Sequence, residues 1–176
     1  MKTICKTLIF LITICSFAFA DGNNSAAFDR GVNAYEQGNY KEAVKQFTQA
    51  IKQNSDDAVA YNNRGIASAE LGDRKRAISD YTRAIEIEPN YALAYYNRGN
   101  SYAELGDLKK AIADYTQAIG FDPKNASVYK NRGISHDKFG DHKKAAADAK
   151  KACDLGDCEL LEYMDKNGEC HSDRSC

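Results

Sequence analysis

The strings YNNRGIASAELGD at 61–73, YYNRGNSYAELGD at 95–107 and YKNRGISHDKFGD at 129–141 are versions of one sentence. Gly65, Gly99 and Gly133 stand 34 residues apart, as do Gly72, Gly106 and Gly140, and Ala77, Ala111 and Ala145. Counting back one period finds Gly31, Gly38 and Ala43 inside DRGVNAYEQGNYKEAV, a more diverged fourth copy. A fixed period of this length restricts the chain to an array of supersecondary units, each hiding its apolar face against its neighbours. The units are expected at 24–57, 58–91, 92–125 and 126–157, with an extension at 158–176.

Within a unit, apolar and small residues recur at helical spacing in two segments broken at a Gly-Asp or Gly-Asn pair. In the third copy Tyr95, Gly99, Tyr102 and Ala103 share one side of the segment from Ala92 to Leu105. Ala111, Ile112, Tyr115, Ala118 and Ile119 share one side of the segment from Leu108 to Phe121. Gly106 can turn left-handed to cap the last carbonyls of the first helix, and Asp107 can cap the first amides of the second. Proline ends the second helices at Glu88-Pro89 and Asp122-Pro123, because it supplies no amide and disfavours helix in the residue before it. Ser55 replaces that proline in the first copy, and Gly156 closes the last.

These residues resemble the tetratricopeptide repeat family. The likeness is carried by Tyr61/Gly65/Gly72/Ala77/Tyr81/Ala84/Pro89, Tyr95/Gly99/Gly106/Ala111/Tyr115/Ala118/Pro123 and Tyr129/Gly133/Gly140/Ala145/Ala152. The resemblance implies an all-α fold: a right-handed α-solenoid of four helical hairpins plus a short C-terminal capping helix. Ala149 stands where the other units carry a large aromatic, and Ala27 where they carry Tyr61, Tyr95 and Tyr129. End units are expected to differ, since each lacks a neighbour.

The commonest form of the family has leucine before the first glycine, whereas this chain has Arg30, Arg64, Arg98 and Arg132. Sixteen residues on stand Asp80, Asp114 and Asp148, with Gln46 in the first copy. The spacing predicts that Arg64, Arg98 and Arg132 pair with these aspartates, because a guanidinium suits a planar acceptor at a partly buried seam.

In the family the first helices line the concave face that holds an extended peptide or a partner helix. The resemblance therefore implies a polypeptide-binding groove. Asn63, Asn97 and Asn131 recur at the period and predict an amide ladder that can both donate to and accept from a backbone. Around it the same helices are expected to offer Phe28, Val32, Tyr35, Asn62, Ile66, Tyr96, Asn100, Lys130 and Ile134. Lys130 is the one cation of that set, too few for a clamp on a C-terminal carboxylate, so a partly apolar segment is the expected ligand. The row Arg74-Lys75-Arg76, Lys109-Lys110 and Lys143-Lys144 opens the second helices and reads as a solvated basic ridge.

Before the repeats lies MKTICKTLIFLITICSFAFA, where Lys2 and Lys6 stand ahead of an apolar run from Leu8 to Phe19 that ends in Ala18-Phe19-Ala20. It is read as a cleaved secretory signal at 1–20, the alternatives being a lipoprotein through Cys15 or an uncleaved anchor. The product is expected in the periplasm or outside the cell, with no membrane insertion after cleavage. Removing Lys2 and Lys6 leaves 22 basic against 25 acidic side chains, a balance that gives no electrostatic reason to expect nucleic acid.

Cys153, Cys158, Cys170 and Cys176 remain, an even number that favours disulfides in an exported chain. Of three possible pairings, loop geometry favours Cys153 with Cys158 and Cys170 with Cys176. The phrase ACDLGDC also resembles Sel1-like repeats, in which cysteines staple helices. DCELLEYMDKNG reads as a capping helix with Leu160, Leu161 and Met164 on one side.

No nucleophile with its base, phosphate loop or paired carboxylates stands outside the helical pattern. His142 reads as surface, and Cys158, Cys170, His171 and Cys176 are too irregularly spaced for a zinc site. The expectation is thus a monomeric, non-enzymatic adaptor without cofactor or metal, whose partner is another protein or peptide. The alternative is a structural module that self-assembles through its end faces.

Overall fold

A computed structural model describes residues 26–166. The segment read as a signal, at 1–20, and Cys170, His171 and Cys176 lie outside the described residues. Helix α1 covers 26–36. It is followed by α2 (Tyr40–Gln53), α3 (Ala58–Glu70), α4 (Arg74–Ile87), α5 (Ala92–Glu104), α6 (Leu108–Phe121), α7 (Ala126–Phe139), α8 (His142–Asp154) and α9 (Glu159–Lys166). No strand occurs among the described residues.

The turns inside the hairpins follow from two residue types. Gly106 sits at φ 81°, a left-handed conformation that lets its amide and that of Asp107 return to the carbonyls of Ala103 and Tyr102. The carboxylate of Asp107 then accepts from the amide of Lys110, capping α6. Asn39, Asp73 and Asp141 cap α2, α4 and α8 in the same way.

Packing within a hairpin pairs a glycine with a ring. A Cβ added at Gly31 would lie 2.6 Å from Phe47, at Gly65 2.6 Å from Tyr81 and at Gly99 2.8 Å from Tyr115. Each ring is almost wholly buried, and burying one is worth about 1.5–3 kcal/mol. Alanines fill the remaining contacts: Ala43, Ala77, Ala111 and Ala145 have no exposed surface.

Units then stack in sequence order. Each second helix packs on the first helix of the next unit, α2 on α3, α4 on α5, α6 on α7 and α8 on α9. The first helices also touch one another, α3 with α5, α5 with α7 and α7 with α9, whereas α2, α4, α6 and α8 do not. A row in contact on one side and splayed on the other must curve toward the contacting side. The first helices therefore form the inner wall of a helical repeat solenoid.

Candidate functional site

Three arginines lock that wall in place. Arg98 on α5 donates from Nε and Nη2 to the two carboxylate oxygens of Asp114 on α6, both at 2.8 Å. Its Nη1 donates to the hydroxyl of Thr82 on α4, in the preceding unit, at 3.0 Å. Arg64 does the same with Asp80 at 2.9 and 2.6 Å and with Thr48 at 3.2 Å. Arg132 repeats it with Asp148 at 2.8 Å twice and with Thr116 at 3.1 Å.

Each threonine also donates to the carbonyl four residues back, at Val44, Ile78 or Ile112, so its hydroxyl is used in both directions. Each guanidinium lies 5.3–5.7 Å from the ring centroid of Tyr61, Tyr95 or Tyr129 one turn earlier. The bonds to Asp114 raise the pKa of Arg98 above its ordinary value. The first unit replaces the ion pair with a relay: Arg30 donates to Gln46 at 2.9 Å, and Gln46 donates to Glu42 at 2.6 Å.

The amides on the inner wall are occupied by one another. Asn97 donates to the carbonyl of Asn62 in the preceding unit at 3.0 Å, and Asn62 is buried. Asn131 donates to the Tyr96 hydroxyl at 3.1 Å and to the Asn100 carbonyl at 3.0 Å, while Asn100 also accepts from Tyr115 at 2.8 Å. Asn63 instead turns back to the carbonyl of Val59 on its own helix. The period thus produces unit-to-unit bridges: Asn131 makes two donations inside the protein, and Asn97 and Asn63 make one each.

Lys130 is likewise engaged. Its ammonium bonds Asp157 at 2.7 Å and Glu159 at 3.0 Å, which raises its own pKa and lowers that of Asp157. Both carboxylates come from the α8–α9 junction and the start of α9, elements beyond the repeat that the periodic pattern does not supply. Phe28, Val32 and Tyr35 on α1 pack against the core of the first unit, with Phe28 edge-on to Phe47 at 5.5 Å and Tyr35 beside Tyr40 at 5.3 Å. Tyr96 lies 6.1 Å from the Tyr115 ring. Ile66 is half-buried, and Ile134 packs against the core that includes Leu160.

Two hollows open along the wall. One, of about 310 Å³, is lined by Asn100, Glu104, Tyr115, Asn131, Ile134 and Lys138. The other, of about 640 Å³, lies between α7 and α9 and is lined by Lys130, Ile134, Lys138, Leu160, Tyr163 and Lys166. Ile134 and Lys138 border both, so the hollows adjoin. Lys138, Leu160, Tyr163 and Lys166 were outside the sequence reading of the site. The first lies one turn beyond Ile134, which is the signal that could have found it.

The basic ridge is partly neutralised. Lys110 and Lys144 bond the capping carboxylates of Asp107 and Asp141, each at 2.7 Å, and Arg74 pairs with Glu104 of the next unit. Cys153 and Cys158 are joined as a disulfide. Among the described residues no group of side chains could hold a metal ion, and no helix is long and apolar enough to cross a membrane.

A curved wall of stacked helical hairpins with adjoining hollows along it defines a protein-interaction repeat module. The chain belongs to the tetratricopeptide repeat family: models of that repeat match residues 28–92 and 92–125. Among solved structures it is similar to the tetratricopeptide domain of Arabidopsis OM64, with 31% identity and a TM-score of 0.63, covering 65% of this chain and 94% of that one. It is similar to MamA, with 26% identity, a TM-score of 0.72 and 86% of each chain covered.

The first repeat domain of Spaghetti (RPAP3), solved with the HSP90 peptide SRMEEVD, shares the fold at 24% identity and a TM-score of 0.66, covering 68% of this chain and 97% of that one. No curated protein matches the chain. Proteins of this family are generally non-enzymatic scaffolds.

Proposed function

We propose that the protein is an exported, non-enzymatic adaptor that holds a segment of another polypeptide against the inner wall of its first helices. The observation that carries the reading is the pair of adjoining hollows along α5, α7 and α9. The segment favoured by its chemistry is a helix with an apolar stripe. An extended peptide must find partners for its own amides and carbonyls. Here Asn97 and Asn131 already donate to neighbouring units and Asn63 to its own helix. A helix satisfies its own backbone and needs only apolar contact with polar borders, which Ile66 and Tyr96 on the first helices and Ile134, Lys138 and Lys166 around the hollows offer. That a relative of similar fold was solved with a bound peptide supports a polypeptide as the ligand class.

Export is supported by the apolar run after Lys6 and by the bonded cysteine pair. A single copy is the working form, because α9 covers the face on which a further unit would stack. Affinity capture with the wild type and with an Ile66→Lys/Tyr96→Ala variant tests the reading: the variant should lose partners that the wild type retains. Identical partner sets would refute the groove. Light scattering should give a mass that does not change with concentration, and a mass that grows would favour end-to-end assembly.

A further inference from the structure

The last unit lacks a piece of its own core. Ala149 occupies the place of Phe47, Tyr81 and Tyr115, so α8 brings no ring to the space above Gly133. Leu160 of α9 fills it: a Cβ at Gly133 would lie 2.7 Å from Leu160 Cδ2. Leu160 and Met164 are buried against Ala145 and Ala149. The same helix brings Glu159 to Lys130, next to Asp157, and forms the outer wall of the larger hollow.

Yet α9 has eight residues, well short of the length at which a helix persists unaided in water. Its seat depends on the buried pair of apolar side chains and on what tethers its start. That tether is the bond between Cys153 in the last turn of α8 and Cys158 immediately before α9.

We infer that oxidation of Cys153 and Cys158 is the step that completes the far end of the groove, the bond acting as a latch that seats α9. Two thiols give up two electrons and two protons to a disulfide donor such as oxidised glutathione, which leaves as two thiols while the protein's sulfur–sulfur bond forms. While the cysteines are reduced, α9 detaches, Leu160 leaves the space above Gly133 and Lys130 loses its carboxylates. The hollow then lacks one wall. A chain that leaves a reducing compartment for an oxidising one would gain its finished groove on arrival. The inference rests on the groove reading only in treating that wall as part of a binding surface.

Hydrogen exchange on the full chain tests it without any partner, comparing the oxidised protein, the protein reduced with dithiothreitol and a Cys153→Ser/Cys158→Ser variant. Amides of α9 should exchange on the order of thirtyfold faster in the last two samples, the population change expected from losing so short a closed loop. Amides of α3 to α6 should keep their rates, and Lys130 should become more reactive toward an amine-acylating reagent. Leu160→Ala, with the disulfide intact, should also speed exchange in α9, because it removes the seat while keeping the tether. Unchanged exchange in α9 on reduction would overturn the latch. So would equal acceleration in every unit, which would make the bond a support of the whole array. Either result leaves the capture experiment on Ile66 and Tyr96 to be judged on its own.

Discussion

Replacing Gly99 by alanine sets two effects of known sign against each other. An alanine inside a helix is favoured over glycine by about 0.5–1 kcal/mol, since glycine loses more backbone freedom on folding. The new Cβ, however, would lie 2.8 Å from Tyr115 Cε1 and 2.9 Å from Cδ1. Carbon atoms in contact prefer about 3.5–4.0 Å, so the ring must retreat by most of an ångström. Its retreat is opposed: Tyr115 is 1% exposed, faces the Tyr96 ring and is tied through its hydroxyl to Asn100.

Overpacking of this kind costs about 1–3 kcal/mol, so once the helix gain is subtracted the net change should be a loss of up to about 2.5 kcal/mol. Gly120 in α6 is the control, with nothing within 4 Å of the added Cβ, and Gly120→Ala should stabilise by about 0.5 kcal/mol. Urea denaturation should move the two midpoints in opposite directions, the first downward by about 0.5–1 M. In a Tyr115→Leu background, Gly99→Ala should lose its cost. A midpoint for Gly99→Ala that rises alongside Gly120→Ala would refute the glycine-to-ring account of how each hairpin closes.

Asp114→Ala should cost about 2–3 kcal/mol, because it strands a guanidinium whose side chain is 17% exposed. A double-mutant cycle with Arg98→Ala should return coupling of at least about 1 kcal/mol, and additive losses would contradict the clamp. His136 is buried on α7 with Nδ1 unbonded, and burial holds its pKa below the usual histidine value. A base whose folded pKa is depressed binds its proton more readily when unfolded. Stability should therefore hold above the unfolded value near 6.5 and fall as pH drops below it, and this step should vanish in His136→Ser when urea midpoints are measured against pH.

The 34-residue period made the hairpins legible because each unit meets nearly the same neighbours, so the same residue solves the same problem each time. Arginine and aspartate sixteen apart could be paired for that reason. The third partner was equally periodic, at Thr48, Thr82 and Thr116, but threonine on a helix is common enough to carry no signal alone. In the last unit Lys150 stands at that position, where no further arginine arrives.

The inner-wall asparagines were located but their use was not. Whether an amide faces a ligand or a neighbouring amide depends on how closely successive first helices approach, a distance that the period does not encode. The far end was the least legible part because it leaves the register. Tyr163 falls one period after Tyr129 yet is 57% exposed, while Leu160 and Met164 are the side chains α9 buries.

The account stands most directly on which face meets a partner. A photoreactive phenylalanine analogue placed at Ile66 or Tyr96 on the inner wall, or at Ala113 or Gln117 on the exposed side of α6, reads this by covalent capture in the native compartment. The account predicts adducts with another polypeptide from the first two positions and none from the last two. Adducts confined to Ala113 and Gln117 would contradict it.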